Sequence, residues 1–408
     1  MIHVFLTIEG RKHFVGRLLN QDSGNFFQYS PEFISTGLQI SPFHLSLNNT
    51  IFKAPATPFN GLHGVFSDSL PDGWGLLLMD RFLKQNGLNV KKISPLDRLL
   101  YIGSTGMGAL SYEPDHSQPS SYSHLDLFEL SREASEVIAG KQQDILPELI
   151  KAGGSPGGAR PKVVVGIKDN LMISGERDLP DDYQAWIIKF HASHDKDEGL
   201  IEEAYARMLR LAHINMPSTQ LLAAKDKYYF SVKRFDRINN QRLHVHSLAG
   251  LIHANFRIPD FDYEKLLRLT VMLTKNNDDA IQVYRQMIFN ILANNQDDHT
   301  KNFSFIMDGK GTWRLSPAYD ITFNYCHGGE QSMSINGYGK NIPEQTFYKL
   351  GALCDLDEHK VRQIFSETFE ALSQWPVLVD ELEIAPQNRN DIQENFNQLF
   401  NQYHSMTR

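Results

Sequence analysis

Hydrophobic and polar residues alternate at the start of the chain, in the segment IHVFLTI, and this period of two predicts a β-strand. A second strand is predicted near VGRLL, and a helix is predicted from Trp74 to Gln85, after the turn SDSLPDGWG. The stretch DHSQPSSYSH is rich in Pro and Ser and has little to bury, so it predicts a boundary. We therefore expect an N-terminal accessory unit over residues 1–112 and a linker over residues 113–124.

The middle of the chain is predicted to be a β-rich lobe over residues 125–236. Helical periodicity in LDLFELSREASEVIAG and ILPELIKA is followed by two apolar strands, VVVGI and AWIIKF. The helix IEEAYARMLRLAHI ends before Pro217, because a proline disfavours helical backbone in the residue that precedes it. The segments TQLLAA and YYFSVKRF, separated by the charged turn KDK, predict a hairpin.

Beyond residue 236 the periodicity is mostly helical. Strong helices are predicted for FDYEKLLRLTVMLT and DDAIQVYRQMIFNILAN, and the second begins with Asp278 and Asp279, where the helix dipole favours negative charge. A short hairpin, FSFIM to TWRLS, follows, and the chain is again helical from about residue 344 to its end. The pattern predicts a helical C-lobe over residues 237–408 and an α+β fold for the whole chain.

Composition excludes several classes of protein. Of the 408 residues, 41% are hydrophobic and 22% are charged, which is the profile of a soluble globular protein. The net charge of −8 argues against a polyanion-binding domain, because such domains are usually basic. Two distant cysteines, Cys326 and Cys354, argue against a disulfide framework or a structural zinc site. Because no apolar run approaches the roughly 18 residues of a membrane span, we expect a cytoplasmic protein.

The polar stretch NNQDDHTKNFSF, residues 294–305, follows the second of these C-lobe helices directly. Asp297 and Asn302 have the spacing D-x-x-x-x-N, and Asp320 follows eighteen residues later in PAYDI. Protein kinases place an aspartate, an asparagine and a second aspartate in this order, because phosphoryl transfer needs one carboxylate near the attacking hydroxyl and oxygen ligands for Mg²⁺. The spacing alone is common, so a polar turn between helix and strand remains an alternative.

Upstream segments follow the same kinase order. The glycine-rich segment GGSPGGARPK precedes a strand, and its backbone N–H groups could approach phosphate oxygens, with Arg160 and Lys162 beside them. Lys189 ends the strand WIIK, Glu202 and Glu203 begin the next helix, and VKRFDR could be a hinge for adenine. Each segment also has a simpler interpretation: a turn, a solvated edge charge, or acidic residues that favour a helix dipole.

Other interpretations of the same residues stay open at this stage. His244 and His246 form an H-x-H pair that could bind zinc, although core or surface histidines are favoured. Asp297, Asp298 and His299 could form a metal hydrolase site, although adjacent residues point in different directions. The chain could also be a small-molecule kinase, or a catalytically silent scaffold or co-repressor. Trp74 could be a packing anchor of the N-terminal unit.

Together these segments resemble the HipA-type serine/threonine kinase toxins of bacterial toxin–antitoxin modules. The resemblance covers most of the chain and rests on LPDGWG, MGALSYEP, GGSPGGARPK, WIIKF, VKRFDR, HVHSLAG, DDHTKNFS and LSPAYDI. It implies a protein-kinase-like bilobal α+β fold, with an N-terminal accessory α/β subdomain and a helical C-terminal lobe. It also implies ATP and Mg²⁺ as cofactors.

The resemblance also implies a role for each matching residue. Asp297 matches the catalytic aspartate, and Asn302 and Asp320 match the magnesium ligands. Glu202, with Glu203 next to it, matches the helix glutamate that pairs with Lys189. The residues expected to contact ATP are Gly154, Ser155, Gly157, Gly158, Ala159, Lys162, Lys189, Glu202, Lys233, Phe235, Asp236, His299, Asn302 and Asp320; among these, Lys233 and Phe235 would offer hinge backbone and Asp236 would lie near the ribose.

Regulation and partners are likewise implied by the resemblance. Ser155 matches a loop serine that such kinases autophosphorylate, and a phosphate there would add about −1.5 to −2 charges to a loop meant for ATP phosphates. We expect this charge to expel the loop from the site. The expected protein substrate is an aminoacyl-tRNA synthetase, and the expected partner is a small DNA-binding antitoxin that supplies the nucleic-acid contact.

Overall fold

The computed structural model of the chain describes residues 1–117, 124–141, 147–153, 157–191 and 196–407. Its strands are β1 (Ile2–Ile8), β2 (Arg11–Gln21), β3 (Gly24–Tyr29), β4 (Phe52–Lys53), β5 (Leu110–Glu113), β6 (Lys162–Lys168), β7 (Leu171–Ser174), β8 (Gln184–Lys189), β9 (Thr219–Ala224), β10 (Lys227–Lys233), β11 (Arg237–Ile238), β12 (Gln241–Arg242), β13 (His244–Ser247), β14 (Ser304–Met307) and β15 (Trp313–Leu315). Its α-helices are α1 (Pro31–Ile34), α2 (Gly64–Ser67), α3 (Gly73–Gln85), α4 (Pro95–Ile102), α5 (Leu127–Ile138), α6 (Pro147–Gly153), α7 (Glu198–Leu211), α8 (Leu248–Ile252), α9 (Tyr263–Thr274), α10 (Asn277–Leu292), α11 (Glu344–Ala352), α12 (Glu358–Leu372), α13 (Trp375–Glu381) and α14 (Pro386–Tyr403).

The chain divides into two compact units. Unit 1 comprises Met1–Lys196, Leu222–Asn255 and Phe305–Thr312, and unit 2 comprises Asp197–Leu221, Phe256–Ser304 and Trp313–Arg408. The boundaries predicted at residues 112, 124 and 236 stay predictions of domain organisation, and residues 118–123 of the predicted linker lie outside the described residues.

The first sheet of unit 1 is built around the strand that begins the chain. Its strand order is β4-β3-β2-β1-β5, and β1 pairs antiparallel with both β2 and β5. Ile2, Val4, Leu6 and Ile8 are buried while the residues between them are partly exposed. The alternation that predicted a strand is therefore confirmed, because every second side chain points to one face of a sheet.

The second sheet of unit 1 has the order β7-β6-β8-β10-β9. Val163 and Val165 of β6 and Ile188 of β8 belong to a buried cluster that also contains side chains of α3, α5 and α6. Trp74 of α3 is part of this cluster, so it packs with residues of the second sheet and of α5 and α6, beyond the N-terminal unit for which it was predicted as an anchor. Since side chains alternate across a strand, residues at even positions of β6 and odd positions of β8 lie on the opposite face of the sheet.

Unit 2 is mostly helical, with α10 at its centre. Val283, Met287 and Ile288 of α10 are fully buried, and Tyr205 of α7 packs edge-on against Phe289 with 6.2 Å between ring centroids. The helix starts at Asn277, one residue before the predicted start, and the side chain of Asn276 caps it by accepting a hydrogen bond from the N–H of Asp278. It ends at Leu292, so the polar stretch 294–305 leaves directly from a buried helix. None of the helices in the described ranges has both the length and the apolar character that crossing a membrane requires.

Candidate functional site

The loop that follows α10 is closed by a hydrogen bond between two predicted site residues. The side-chain amide of Asn302 donates to the carbonyl oxygen of Asp297 over 2.7 Å, and the N–H of Asn302 donates to the carbonyl of His299 over 2.8 Å. Because the amide nitrogen is held in this way, the amide oxygen of Asn302 has a defined direction. The Asp297 side chain is 45% exposed, so its carboxylate can be reached by a ligand.

The segment of Asp320 is tied to the same loop by the residue before it. The Tyr319 hydroxyl donates to the carbonyl oxygen of Lys301 over 2.7 Å and lies 2.6 Å from the Ser304 hydroxyl. Asp320 itself has a φ of 57°, the left-handed backbone that non-glycine residues seldom adopt outside constrained sites. The structure therefore brings the segments of Asp297, Asn302 and Asp320 together in unit 2.

The oxygen atoms of Asn302 and Asp320 fit an Mg²⁺ ion whose other ligands are phosphate and water. Asn302 supplies an amide oxygen and Asp320 a carboxylate, and Mg²⁺ takes hard oxygen ligands, commonly one or two from the protein with phosphate and water completing the shell. Asn302 and Asp320 would hold such an ion. The donor set contains no soft sulfur ligand, which zinc sites often use.

Asp298 is buried and anchors the loop. Its carboxylate accepts hydrogen bonds from the Tyr263 hydroxyl over 2.7 Å and from the N–H of Ser332 over 2.8 Å. Asn290 of α10 donates to the oxygen of Tyr263 over 3.0 Å, so the anchor continues into the central helix. Burial raises the pKa of Asp298 to about 7, and the hydrogen bonds that it accepts offset only part of this rise.

The two alternative metal sites are not supported. Asp298 is bonded to Tyr263 and Ser332, and His299 Nε2 is 3.8 Å from Asp297 Oδ1. His244 and His246 are buried in unit 1, where they bond to the Ile40 carbonyl over 2.8 Å and to the Asp68 carboxylate over 2.6 Å, as core histidines do. In the parts of the chain that the structure describes, there is no group of at least three His, Cys, Asp or Glu side chains that could hold a metal ion.

The glycine-rich segment GGSPGGARPK lies in unit 1; its first residue, Gly153, ends α6, and the described residues resume at Gly157. Gly154 and Ser155 lie outside the described residues. The backbone of Gly158 has a φ of 100°, which favours glycine because a Cβ atom would be strained there. Lys162 Nζ donates to the carbonyl oxygen of Gly157 over 2.8 Å, so the lysine predicted to close the loop does contact it.

Lys162 and Lys189 are directly opposite each other in the antiparallel pairing of β6 and β8. Both lie on the face away from the helix-covered core, and they are only 6% and 9% exposed. Cβ atoms of such a cross-strand pair are about 5 Å apart, and like charges there are unfavourable unless an anion lies nearby. Lys189 Nζ is also 5.7 Å from the centroid of the Phe230 ring. A phosphate contact of these two lysines stays a prediction.

Asp236 has a different environment from the one that a ribose contact needs. It is fully buried, and its carboxylate accepts hydrogen bonds from Arg234, from Arg237 over 2.6 Å and from the N–H of Gly108 over 2.7 Å. Burial alone would raise the pKa of Asp236, but Arg234 and Arg237 hold it well below its usual range. We correct the predicted role: Asp236 is the centre of a buried ion-pair network, because both of its oxygens are already bonded.

The remaining predicted residues are placed as follows. Glu203 accepts a hydrogen bond from Arg207 on its own helix over 2.8 Å, and the pairing of Glu202 or Glu203 with Lys189 stays a prediction. Lys233 is the last residue of β10 and Phe235 follows it in the predicted hinge, while Ala159 lies in the described part of the glycine-rich loop. The ATP contacts expected of Lys233, Phe235, Ala159 and His299 also stay predictions.

Sequence reasoning missed two residues that support the loop, Tyr319 and Tyr263. Tyr319 directly precedes Asp320, and a tyrosine at that position could have been noted because its hydroxyl can both donate and accept a hydrogen bond. Tyr263 begins α9, far from the loop in sequence, and no local signal connects it with Asp298.

Comparison with protein families gives the decisive observation. The model of the HipA-like C-terminal domain matches residues 154–375, more than half of the chain, and the model of the HipA N-terminal domain matches residues 6–113. The chain belongs to the HipA family. The family resemblance predicted from the sequence motifs is thus confirmed.

Two curated relatives have kinase names. A kinase candidate of Sinorhizobium fredii (strain NBRC 101917 / NGR234), named Y4dM, is 26% identical over 210 residues, which is 46% of this chain and 50% of that protein. A second kinase candidate, from Haemophilus influenzae (strain ATCC 51907 / DSM 11121 / KW20 / Rd), is 25% identical over 186 residues, 41% of this chain and 52% of that protein. The chain thus spans about half the length of the curated relatives it matches.

A solved structure shows the same fold. It is a chain of the Shewanella oneidensis MR-1 toxin–antitoxin complex of HipA, HipB and operator DNA, with a TM-score of 0.71 and 17% identity. The match covers 98% of this chain and 96% of that chain. The predicted α+β fold of the HipA type is confirmed.

The buried ion pairs of Asp236 should stabilise the folded protein. We expect Asp236→Asn to lower the free energy of unfolding by about 3–5 kcal/mol, because two buried guanidinium groups lose their counter-charge. Urea denaturation measures the change. The control is Glu113→Gln, which breaks an exposed ion pair with Lys12 and should cost less than about 1 kcal/mol. A loss at Asp236 as small as that of the control would contradict the proposed network.

The raised pKa of Asp298 should make the stability of the folded protein depend on pH. The folded state keeps this carboxyl protonated up to about pH 7, whereas the ordinary value is 3.8, so the folded state binds more protons between these limits. The contribution of Asp298 to the free energy of unfolding is therefore fully present below about pH 4 and is lost as the pH rises through 7. The free energy of unfolding should fall by up to about 1.4 kcal/mol per pH unit in this range.

Asp298→Asn should remove that part of the pH dependence while keeping the shape of the side chain. Melting temperatures of both proteins between pH 4 and pH 8 give the comparison, and Asp278→Asn, an exposed aspartate of α10, is the control. Parallel curves for wild type and Asp298→Asn would show that Asp298 does not titrate in this range.

Proposed function

We propose that the chain is an ATP-dependent serine/threonine protein kinase of the HipA type. The observation that carries the proposal is the loop of unit 2, in which the Asn302 amide holds the Asp297 carbonyl and Tyr319 ties in the segment of Asp320. Membership of the HipA family and the kinase names of the two curated relatives support it.

Asp297 acts on the hydroxyl that is phosphorylated. Its partly exposed carboxylate accepts a hydrogen bond from the serine or threonine hydroxyl and directs that oxygen at the γ-phosphorus of ATP. As the new phosphorus–oxygen bond forms, the bond from the γ-phosphorus to the bridging oxygen breaks, ADP leaves, and the hydroxyl proton passes to Asp297. Mg²⁺ held by Asn302 and Asp320 would supply neutralisation of the phosphate charge.

Two lysines and the glycine-rich loop bind the phosphates in this proposal. Lys162 and Lys189 supply two cations on one face of the sheet, and the glycine-rich loop supplies backbone N–H groups. The backbone of Lys233 and Phe235 binds adenine. Since Asp236 is engaged in a buried network, we omit it from the nucleotide site.

The biological role that we propose is that of a toxin in a toxin–antitoxin module. The structure of similar fold contains HipB and operator DNA, so a small DNA-binding antitoxin is the partner proposed for this chain. An acidic chain with a net charge of −8 has no bulk attraction for DNA, so nucleic acid is contacted through that partner. The proposed substrate is an aminoacyl-tRNA synthetase, and its phosphorylation stops translation.

The assignment of Asp297 is tested by isosteric substitution. Asp297→Asn should reduce phosphate transfer from ATP by at least about a hundredfold, because general-base catalysis contributes factors of this size. Binding of ATP, measured by calorimetry, should be unchanged. Asp278→Asn makes the same charge change on the surface of α10 and should transfer phosphate normally. Transfer at the wild-type rate by Asp297→Asn would remove this residue from the mechanism.

Self-limitation through Ser155 is tested separately. Incubation of the wild type with Mg·ATP should add one phosphate at Ser155, detectable by mass spectrometry, and activity on a substrate should decline as this product accumulates. Ser155→Ala should remain active for the whole incubation, because no charge enters the loop. If the activity of Ser155→Ala declines as fast as that of the wild type, autophosphorylation of Ser155 does not cause the decline in kinase activity.

A further inference from the structure

Asp72 occupies the N-cap position of α3 without capping the helix. Aspartate is favoured at this position because its carboxylate usually accepts an N–H of the first helical turn. Here the backbone of Asp72 is extended, with φ −122° and ψ 176°, but its side chain makes no cap hydrogen bond. The carboxylate instead accepts the N–H of Gly158, in the glycine-rich loop. A long-range contact has thus replaced the local one.

The residues after Asp72 hold the same loop. The N–H of Trp74 donates to the carbonyl of Gly158 over 3.1 Å, and its indole N–H donates to the carbonyl of Lys162 over 3.0 Å. Gly73, with φ 43°, lies so close that a Cβ atom built on it would be 2.5 Å from Ala159 Cα. The backbone of the loop therefore packs directly against the backbone of the turn Asp72–Gly73–Trp74.

The contact engages the groups that phosphate binding needs. One N–H group cannot donate fully to a carboxylate and to a phosphate oxygen at once, and the two anions repel each other. A Cβ atom at Gly157 would lie 3.5 Å from Asp72 Oδ1, so the carboxylate lies beside two successive loop residues. On the other side, the ammonium of Lys162 donates to the Gly157 carbonyl. The Gly158 N–H and the Lys162 ammonium are both engaged within the chain.

We propose that the Asp72 carboxylate is an internal competitor of nucleotide phosphate for the N–H of Gly158. Nucleotide binding displaces it, so the accessory region reduces the affinity of the loop for ATP. Asp72 is a positioning residue in this scheme and takes no part in the chemical step. The inference rests on the proposed function, since it needs the glycine-rich loop to bind phosphate.

Calorimetry on the full chain with two ligands tests the proposal. We expect Asp72→Asn and Asp72→Ala to bind ATP about two- to tenfold more tightly than the wild type, the range that corresponds to one released hydrogen bond. Adenosine carries no phosphate and should bind all three proteins equally. A merely structural role of Asp72 would weaken ATP binding or change the affinity for both ligands.

The control makes the same charge change at another helix cap of unit 1. Asp126 accepts the N–H of Glu129 at the start of α5, and Asp126→Asn should leave both affinities at their wild-type values. Equal or weaker ATP binding by folded Asp72→Asn and Asp72→Ala would overturn the proposal while the kinase assignment stands. A folded wild type that binds no ATP would overturn the kinase assignment and this inference with it.

Discussion

The hydrogen bond from the Asn302 amide to the Asp297 carbonyl is the constraint on which the candidate site depends. It closes the loop after α10 and fixes the direction of the amide oxygen while the Asp297 carboxylate remains reachable. Asp298 holds the loop from the buried side, through Tyr263 and the backbone of Ser332. The two adjacent aspartates therefore differ in environment: the Asp297 side chain is partly exposed to ligands, whereas Asp298 is buried and holds the loop in place.

The local parts of the fold were accessible to sequence reasoning. The alternation in β1 and the periodicity of α10 predicted elements that the structure contains, since each depends on neighbours in the chain. The order of glycine-rich loop, strand lysine and polar loop likewise led to the HipA family, which the domain matches confirm.

Long-range pairing explains what could not be predicted. Asp236 follows the predicted hinge in sequence, and only the fold shows that Arg234, Arg237 and Gly108 enclose it. The opposition of Lys162 and Lys189 depends on the register of two strands, which a single sequence does not specify. The contact between Asp72 and Gly158 joins residues far apart in the chain, so the motif LPDGWG was visible while its partner was not.

The kinase assignment requires that the chain transfers the γ-phosphate of ATP to a protein hydroxyl. The most direct measurement follows the label of γ-labelled ATP in a lysate of the host cell, with phosphoamino-acid analysis of the labelled proteins. We expect label in phosphoserine or phosphothreonine with the wild type, and its loss with Lys189→Met. Label found only in inorganic phosphate or in small molecules would contradict protein kinase activity.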